Sequence, residues 1–268
     1  MNHLLRSHAP ISDAGWTLVD EEARQRLAPG LAARRLVDFD GPHGWTYSAT
    51  NLGRLEAADS SVEGVHAQRR RVLPLVELRA PFTIARDELR DGDRGAEDVD
   101  LDDLDRAARQ MAEAENALVF HGTEDGIEGI IPASPHPPMR LGEDPSSYTG
   151  VVARAVDVLK RNGLEGPYGL ALSREQWTHV VETAEHGGYP LFEHLALILG
   201  GPIVWAPGVR GAVVLSLRGG DFLLEVGQDL AIGYESHDGD VVELYLEESL
   251  SFRSVTPEAA VAIEIAPV

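Results

Sequence analysis

Glu175, His179, Glu182 and His186 are the residues whose types and spacing come nearest to chemistry. Steps of four, three and four place two carboxylates and two imidazoles on one helical face, a donor set that suits a divalent metal. The same spacing describes a solvated helix surface, and His186 abuts Gly187-Gly188, where a helix must already be ending. We therefore assign no metal site there, and no cofactor. The remaining histidines, at positions 3, 8, 43, 66, 121, 136, 194 and 237, are scattered along the chain. There is no G-x-x-x-x-G-K-S/T phosphate loop, no G-x-G-x-x-G, no G-x-S-x-G elbow and no H-E-x-x-H helix. A Ser/His/Asp triad can be assembled on paper from any chain of this length, because its members keep no fixed order. An isolated hydrolase would need a site that the sequence does not display, and the chain reads as a non-enzyme.

Composition narrows the remaining classes. The 268 residues carry 23 Lys and Arg against 44 Asp and Glu, a formal charge of −21, and there is no cysteine. A protein this acidic is repelled by nucleic-acid phosphates and anionic lipid, so neither nucleic acid nor membrane is expected as a partner. The missing thiols exclude disulfides, thiolate metal centres and a cysteine nucleophile. At 43% hydrophobic and 25% charged the composition is that of a globular chain. Residues 1–12 lack the apolar stretch of a signal peptide, and no run approaches the ~20 apolar residues of a bilayer span. The expected location is the cytoplasm.

The elements come next. Trp16, Val19, Ala23 and Leu27 recur every three or four residues, which predicts a helix over 12–27, capped by Ser12 or Asp13 and stopped by Pro29-Gly30. Residues 48–71 form a long polar stretch without a core face, uncommon inside a compact domain; they read as a projecting hairpin whose partner surface lies on another subunit. Between Asp87 and Asp105 stand ten acids and two arginines, read as a solvated acidic loop because the order of a calcium loop is absent. Asp100 is expected to cap a long helix over 101–120, with Leu104, Ala108, Met111 and Leu118 inward and acids and arginines outward. Helices over 147–161, from a Ser173/Gln176 capping box to about 182, and from Pro190 to 199 surround a strand at 168–172. From Gly211 onward the period becomes two, which predicts a hairpin of 213–217 with 222–226 about Gly219-Gly220-Asp221, then strands at 242–252 and 261–265. The fold class is α+β, and the last third reads as a mostly antiparallel sheet.

Specific strings then carry a resemblance. They include His8-Ala9-Pro10-Ile11, Ala33-Arg34-Arg35-Leu36-Val37-Asp38-Phe39 and Gly41-Pro42-His43-Gly44-Trp45, then Leu73-Pro74-Leu75-Val76-Glu77-Leu78-Arg79 and Glu165-Gly166-Pro167-Tyr168. Later come His186-Gly187-Gly188-Tyr189-Pro190, Arg218-Gly219-Gly220-Asp221-Phe222, Gly227-Gln228-Asp229-Leu230-Ala231-Ile232-Gly233-Tyr234 and Glu248-Ser249-Leu250-Ser251-Phe252. In these the chain resembles the encapsulin nanocompartment shell proteins, the linocin-like family, of the family 1 type.

The resemblance implies a tailed-phage major capsid protein-like fold. An N-terminal helix and arm would occupy 1–47, an extended loop 48–72, a peripheral lobe with a spine helix 73–131 and 221–268, and an axial lobe 132–220, the lobes interleaved. It implies self-assembly into an icosahedral shell, the smallest of the family with about 60 subunits. It also implies enclosure of a cargo enzyme, a peroxidase or a ferritin-like iron oxidase, through a terminal targeting peptide, with the attendant roles in iron storage and oxidative stress. By position Trp16, Ala23, Leu27, Arg34, Val37, Asp38, Asp229, Leu230 and Ile232 would bind that peptide. Glu185, His186, Gly187, Gly188 and Tyr189 would edge a five-fold pore. In two places the chain departs from the family pattern: Gly187-Gly188 is one residue longer, which bears on pore width, and Ala33 stands where many relatives carry glycine. A prophage-derived major capsid protein that packages DNA is the alternative; it would be expected to bring a scaffold or cleaved segment and a less acidic interior.

Overall fold

A computed structural model describes residues 3–124, 126–142, 147–184 and 188–265. Helix α1 (Asp13–Leu27) begins where Ser12 Oγ accepts the Gly15 N–H at 2.9 Å, and its Trp16, Val19, Ala23 and Leu27 are buried as the spacing requires. Strand β1 (Asp38–Asp40) follows. Strands β2 (Ala49–Ala58) and β3 (Ala67–Pro74) then pair antiparallel as a two-stranded hairpin that joins neither large sheet. Its Leu55, Val62, Val65 and Val72 are exposed, so the projecting arm expected from the polar pattern is present with apolar side chains in solvent.

After β4 (Val76–Ala85) the acidic stretch is not one loop. Helix α2 (Arg86–Asp93) occupies its first part, burying Leu89 and leaving most of its acids in water. Helix α3 (Asp102–His121) has Leu101, not Asp100, at its cap position; the Asp100 carboxylate instead accepts the Asp102 N–H at 3.0 Å. Asp105 is buried too, and meets Arg26 at 2.9 Å.

The short helix α4 (Ile130–Ala133) and strand β5 (Met139–Leu141) lead to α5 (Ser147–Arg161), β6 (Tyr168–Leu172), α6 (Arg174–Glu182), α7 (Leu191–Leu199) and β7 (Ile203–Trp205). Ser173 Oγ accepts the Gln176 N–H as a cap, but Gln176 does not complete a capping box: its amide oxygen accepts from the Tyr148 hydroxyl. Strands β8 (Ala212–Ser216), β9 (Phe222–Val226), β10 (Ala231–His237), β11 (Val241–Ser254) and β12 (Ala260–Ile265) complete the chain.

The expected hairpin of β8 with β9 does not form. Every residue of β8 is buried, which fits a central strand covered on both faces, and β8 sits between β12 and β6 in the order β5-β12-β8-β6-β7. Beyond β8 the chain turns through Gly219 and Gly220, both at positive φ, into a second sheet of order β1-β9-β11-β10, with β4 also on β11. The C-terminal third is therefore divided between two sheets. Residues 260–265, placed with 221–254 by the lobe boundaries, pair with β8 and β5 instead.

There are two apolar cores, one shared by the β5-β12-β8-β6-β7 sheet with β9 and the end of β11, the other under β4, β10 and the start of β11, and α3 runs through both. Leu104, Ala108 and Met111 belong to one core, while Leu118, Val119 and Phe120 belong to the other. Between them Glu115 and Asn116 are fully buried, where acids on this helix were expected to face solvent. Asn116 satisfies three backbone groups: it accepts from Ala33 N at 2.9 Å and donates to Gly30 O at 2.7 Å and Pro207 O at 2.9 Å. Replacing it by leucine would orphan all three. We expect Asn116→Leu to lower unfolding free energy by about 2–4 kcal/mol, read as a shifted urea midpoint by tryptophan fluorescence; an unchanged midpoint would contradict this bonding.

Candidate functional site

Arg34 leaves a short 3-10 turn, Ala33–Arg35, and its guanidinium meets three carboxylates from three distant segments. Nε donates to Glu115 of α3 at 2.7 Å, one terminal nitrogen to Asp229 at 2.9 Å, and the other to Glu248 of β11 at 2.6 Å. Glu115 and Glu248 are fully buried, whereas Asp229 reaches solvent. Burial opposes the arginine charge, but Glu115, Glu248 and Asp229 outweigh it and hold the guanidinium above its ordinary range. Burial pushes both glutamates up, Glu248 the further because the neighbouring Glu115 charge adds to it. Asp229 also accepts the Leu230 N–H at 2.8 Å and so fixes its own loop.

A groove of about 400 Å³ opens above this network. One wall is α1, through Ala23 and Leu27; the opposite wall is Leu230, Ala231 and Ile232. Arg34 and Asp229 border it, Leu31 and Leu246 line it, and Arg6, Asp20 and Arg24 mark its rim. Arg6 bonds Asp20 at 2.7 Å and lies 3.9 Å over the Trp16 ring. The result is an apolar trough edged by both signs of charge, suited to an extended segment with alternating apolar and charged side chains.

Of the residues singled out in the sequence, Ala23, Leu27, Arg34, Asp229, Leu230 and Ile232 come together at this groove. Trp16 is buried beneath Arg6 and lies outside the lining. Val37 and Asp38 border a separate pocket of about 160 Å³ with Leu217 and Phe222, where the Asp38 carboxylate accepts the Gly220 N–H at 2.6 Å. Ala33 needs no glycine: among the described residues Leu5 is the one non-glycine with positive φ.

Glu185, His186 and Gly187 lie outside the described residues. Gly188 takes φ +80°, and Tyr189 is half exposed, edge-on to His194 at 6.2 Å. The Ala184–Pro190 bridge joins the chain after α6 to the chain before α7. Helix α6 ends at Glu182 with Thr183 extended, and the His179 ring packs 5.6 Å from Tyr148.

Glu115 and Glu248 under Arg34 escaped the sequence reading, although both interrupt a pattern. Glu115 stands four residues after Met111 and three before Leu118, on the buried stripe of α3. Glu248 falls on the inward alternation of Leu244, Leu246, Leu250 and Phe252.

Comparison with known proteins agrees with this architecture. The linocin family model, described as encapsulating protein for peroxidase, matches residues 1–251. A type 1 encapsulin shell protein of Rhodospirillum rubrum is 47% identical over 98% of this chain and 96% of its own length. One from Mycobacterium tuberculosis is 43% identical over 98% of this chain and 99% of its own. Among solved structures, a virus-like particle from Pyrococcus furiosus superposes with a TM-score of 0.62 at 20% identity, covering 92% of this chain and 98% of that one. A Mycobacterium phage Bobi structure superposes at 0.55 with 14% identity, covering 89% and 91%. What these two share with the chain is the fold.

The Arg34 network has a pH signature. Both buried glutamates titrate higher folded than unfolded, so above the unfolded glutamate value of about 4.3 the folded chain holds the extra protons. Their contribution to stability is full below that value and is lost as pH rises through their folded values. Glu248→Gln keeps an acceptor for Arg34, adds a donor for Glu115 and removes one buried charge. Its urea midpoint should exceed that of the parent by a wider margin at pH 8 than at pH 5; an equal displacement at both would contradict the assignment.

Proposed function

The chain belongs to the encapsulin shell proteins of the linocin family, which assemble with copies of themselves, and from that premise we propose that it walls a closed compartment and holds a cargo protein in the groove above Arg34. The groove carries this reading. Its apolar walls and mixed-charge rim match what a short peptide needs to bind in one register, and nothing within the described chain fills it. Affinity per groove is modest for so small an area, but an oligomeric cargo meets many identical grooves at once and is retained by avidity. The chain is then a wall, not a catalyst, and acts in the cytoplasm; no described helix is long and apolar enough to cross a membrane.

The cargo class follows from the relatives by analogy. The matching family is described by a peroxidase, and a relative from Pyrococcus furiosus, 24% identical over 75% of this chain, is a ferritin-like–encapsulin shell fusion. A peroxidase or a ferritin-like iron oxidase is the cargo we propose, with iron storage or defence against oxidants as the setting. Gly188 and Tyr189, together with Glu185, His186 and Gly187 in sequence, are proposed to edge the five-fold pore, where acids would favour cations. In the same reading residues 132–220 belong to the axial lobe, and the β2–β3 hairpin reaches a neighbouring subunit, burying the exposed Leu55, Val62 and Val65.

Two changes separate docking from assembly. Leu230→Asp places a charge on the trough wall at a half-buried residue on the edge of one core; co-purified cargo should fall at least tenfold while the light-scattering mass of the particle stays constant. Undiminished cargo would remove the groove from consideration. Shortening the hairpin, by replacing residues 55–70 with a two-residue turn between the paired Arg54 and Arg71, should yield a folded chain that no longer forms closed particles in negative stain. Intact shells from that variant would contradict the role given to the hairpin.

A further inference from the structure

Among the described residues six acidic side chains are buried: Asp105, Glu115, Asp221, Glu225, Glu247 and Glu248. Five meet a basic side chain: Asp105 meets Arg26, Glu115 and Glu248 meet Arg34, Asp221 meets Arg218, and Glu247 meets Arg79 and His3. Glu225 is 7% exposed and has no basic partner among the described residues. Its two hydrogen bonds come from Tyr47 Oη and Thr50 Oγ1, both at 2.7 Å, and both fall on Oε2, which leaves Oε1 without a donor. Its second oxygen can take a further partner.

The surroundings supply ligands for a cation. Asp40 on β1 is the direct register partner of Glu225 on the parallel strand β9. The turn that follows is pinned to β9, with His43 N donating to Val226 O at 2.9 Å and Gly44 N to Gly227 O at 2.8 Å. Gly41 makes this approach possible, since a Cβ there would stand 2.6 Å from Val226 O. His43 Nε2 lies 3.5 Å from Asp40 Oδ2, and one ligand atom each from Asp40, His43 and Glu225 all fall within 4.8 Å of one another. Among the described residues this is the one such trio of metal-ligating side chains.

We propose that Asp40, His43 and Glu225 bind a divalent transition ion, with water in the remaining positions. One imidazole and two carboxylates suit zinc or manganese, and the histidine disfavours magnesium and calcium. Tyr47 and Thr50 orient the buried ligand from behind, as outer-shell donors do in metal sites. Burial and the hydrogen bond to Glu225 push the Tyr47 phenol up, so it stays a donor. Thr50 lies in β2 and Tyr47 just before it, so the ion would brace the root of the hairpin against β9. The site lies apart from the cargo groove and does not depend on it.

The test uses tag-free assembled shells stripped with chelator and titrated with Zn²⁺ by calorimetry. One ion per chain is expected, with Zn²⁺ raising the melting temperature of the shell and Mg²⁺ failing to compete. His43→Ala and Glu225→Gln should each weaken Zn²⁺ binding by on the order of tenfold or more and abolish the thermal shift. The glutamine keeps an acceptor for Tyr47 and Thr50, so that variant should still assemble. Absence of a site per chain, or binding that survives both substitutions, would overturn the assignment.

Discussion

The structure depends on one arginine that cannot be released from its partners. Arg34 draws together a turn after the N-terminal helix, the middle of α3, strand β11 and the loop before β10. Removing it would strand two carboxylates in the interior, a loss on the order of 3–5 kcal/mol for a broken buried pair. An apolar replacement of the whole cluster need not be less stable; what the charges impose is geometry, because a guanidinium satisfied on three sides admits one arrangement of the segments around it. Asn116, next to Glu115, does the same for the backbone at Gly30, Ala33 and Pro207. These adjoining polar residues interrupt the apolar stripe of α3 where its two cores meet, and Arg34, which Glu115 holds, borders the groove.

That junction also explains which parts of the fold the sequence reveals. Elements with one buried and one wet face are legible, as α1, α3 and α5 are, and the hairpin is legible from the opposite signal, a long stretch with no core face. Strand β8 misleads, since its alternation of small and large residues suggests a half-exposed hairpin whereas all five residues are enclosed and its partners are distant in sequence. In the acidic run, charge outweighs pattern and hides Leu89, the single inward residue that makes α2 amphipathic. At the groove, Arg34 and the Asp229–Ile232 wall were named from family resemblance and not from pattern. Val37 and Asp38 share the same string but turn to the opposite side of the 3-10 turn, which a linear motif does not reveal. Glu115 and Glu248 were visible only as acids on stripes that should be apolar.

The same architecture serves phage capsids, so the fold alone does not distinguish a DNA container from a protein container. Charge does bear on it: at −21 the chain opposes a polyphosphate interior. Rigidity and reach are divided accordingly. The body is held by two sheets on one long helix, while the hairpin pairs with neither sheet and leaves apolar side chains uncovered, a surface that the proposed assembly would bury.

Assembly is the property on which these features converge. It is measured most directly by light scattering of the freshly purified chain, with negative-stain images of the same fraction. Uniform hollow particles of megadalton mass are the predicted result. A stable monomer or small oligomer under native conditions would contradict the account, because the groove and the hairpin would then belong to a fold that has kept its shape without building a shell.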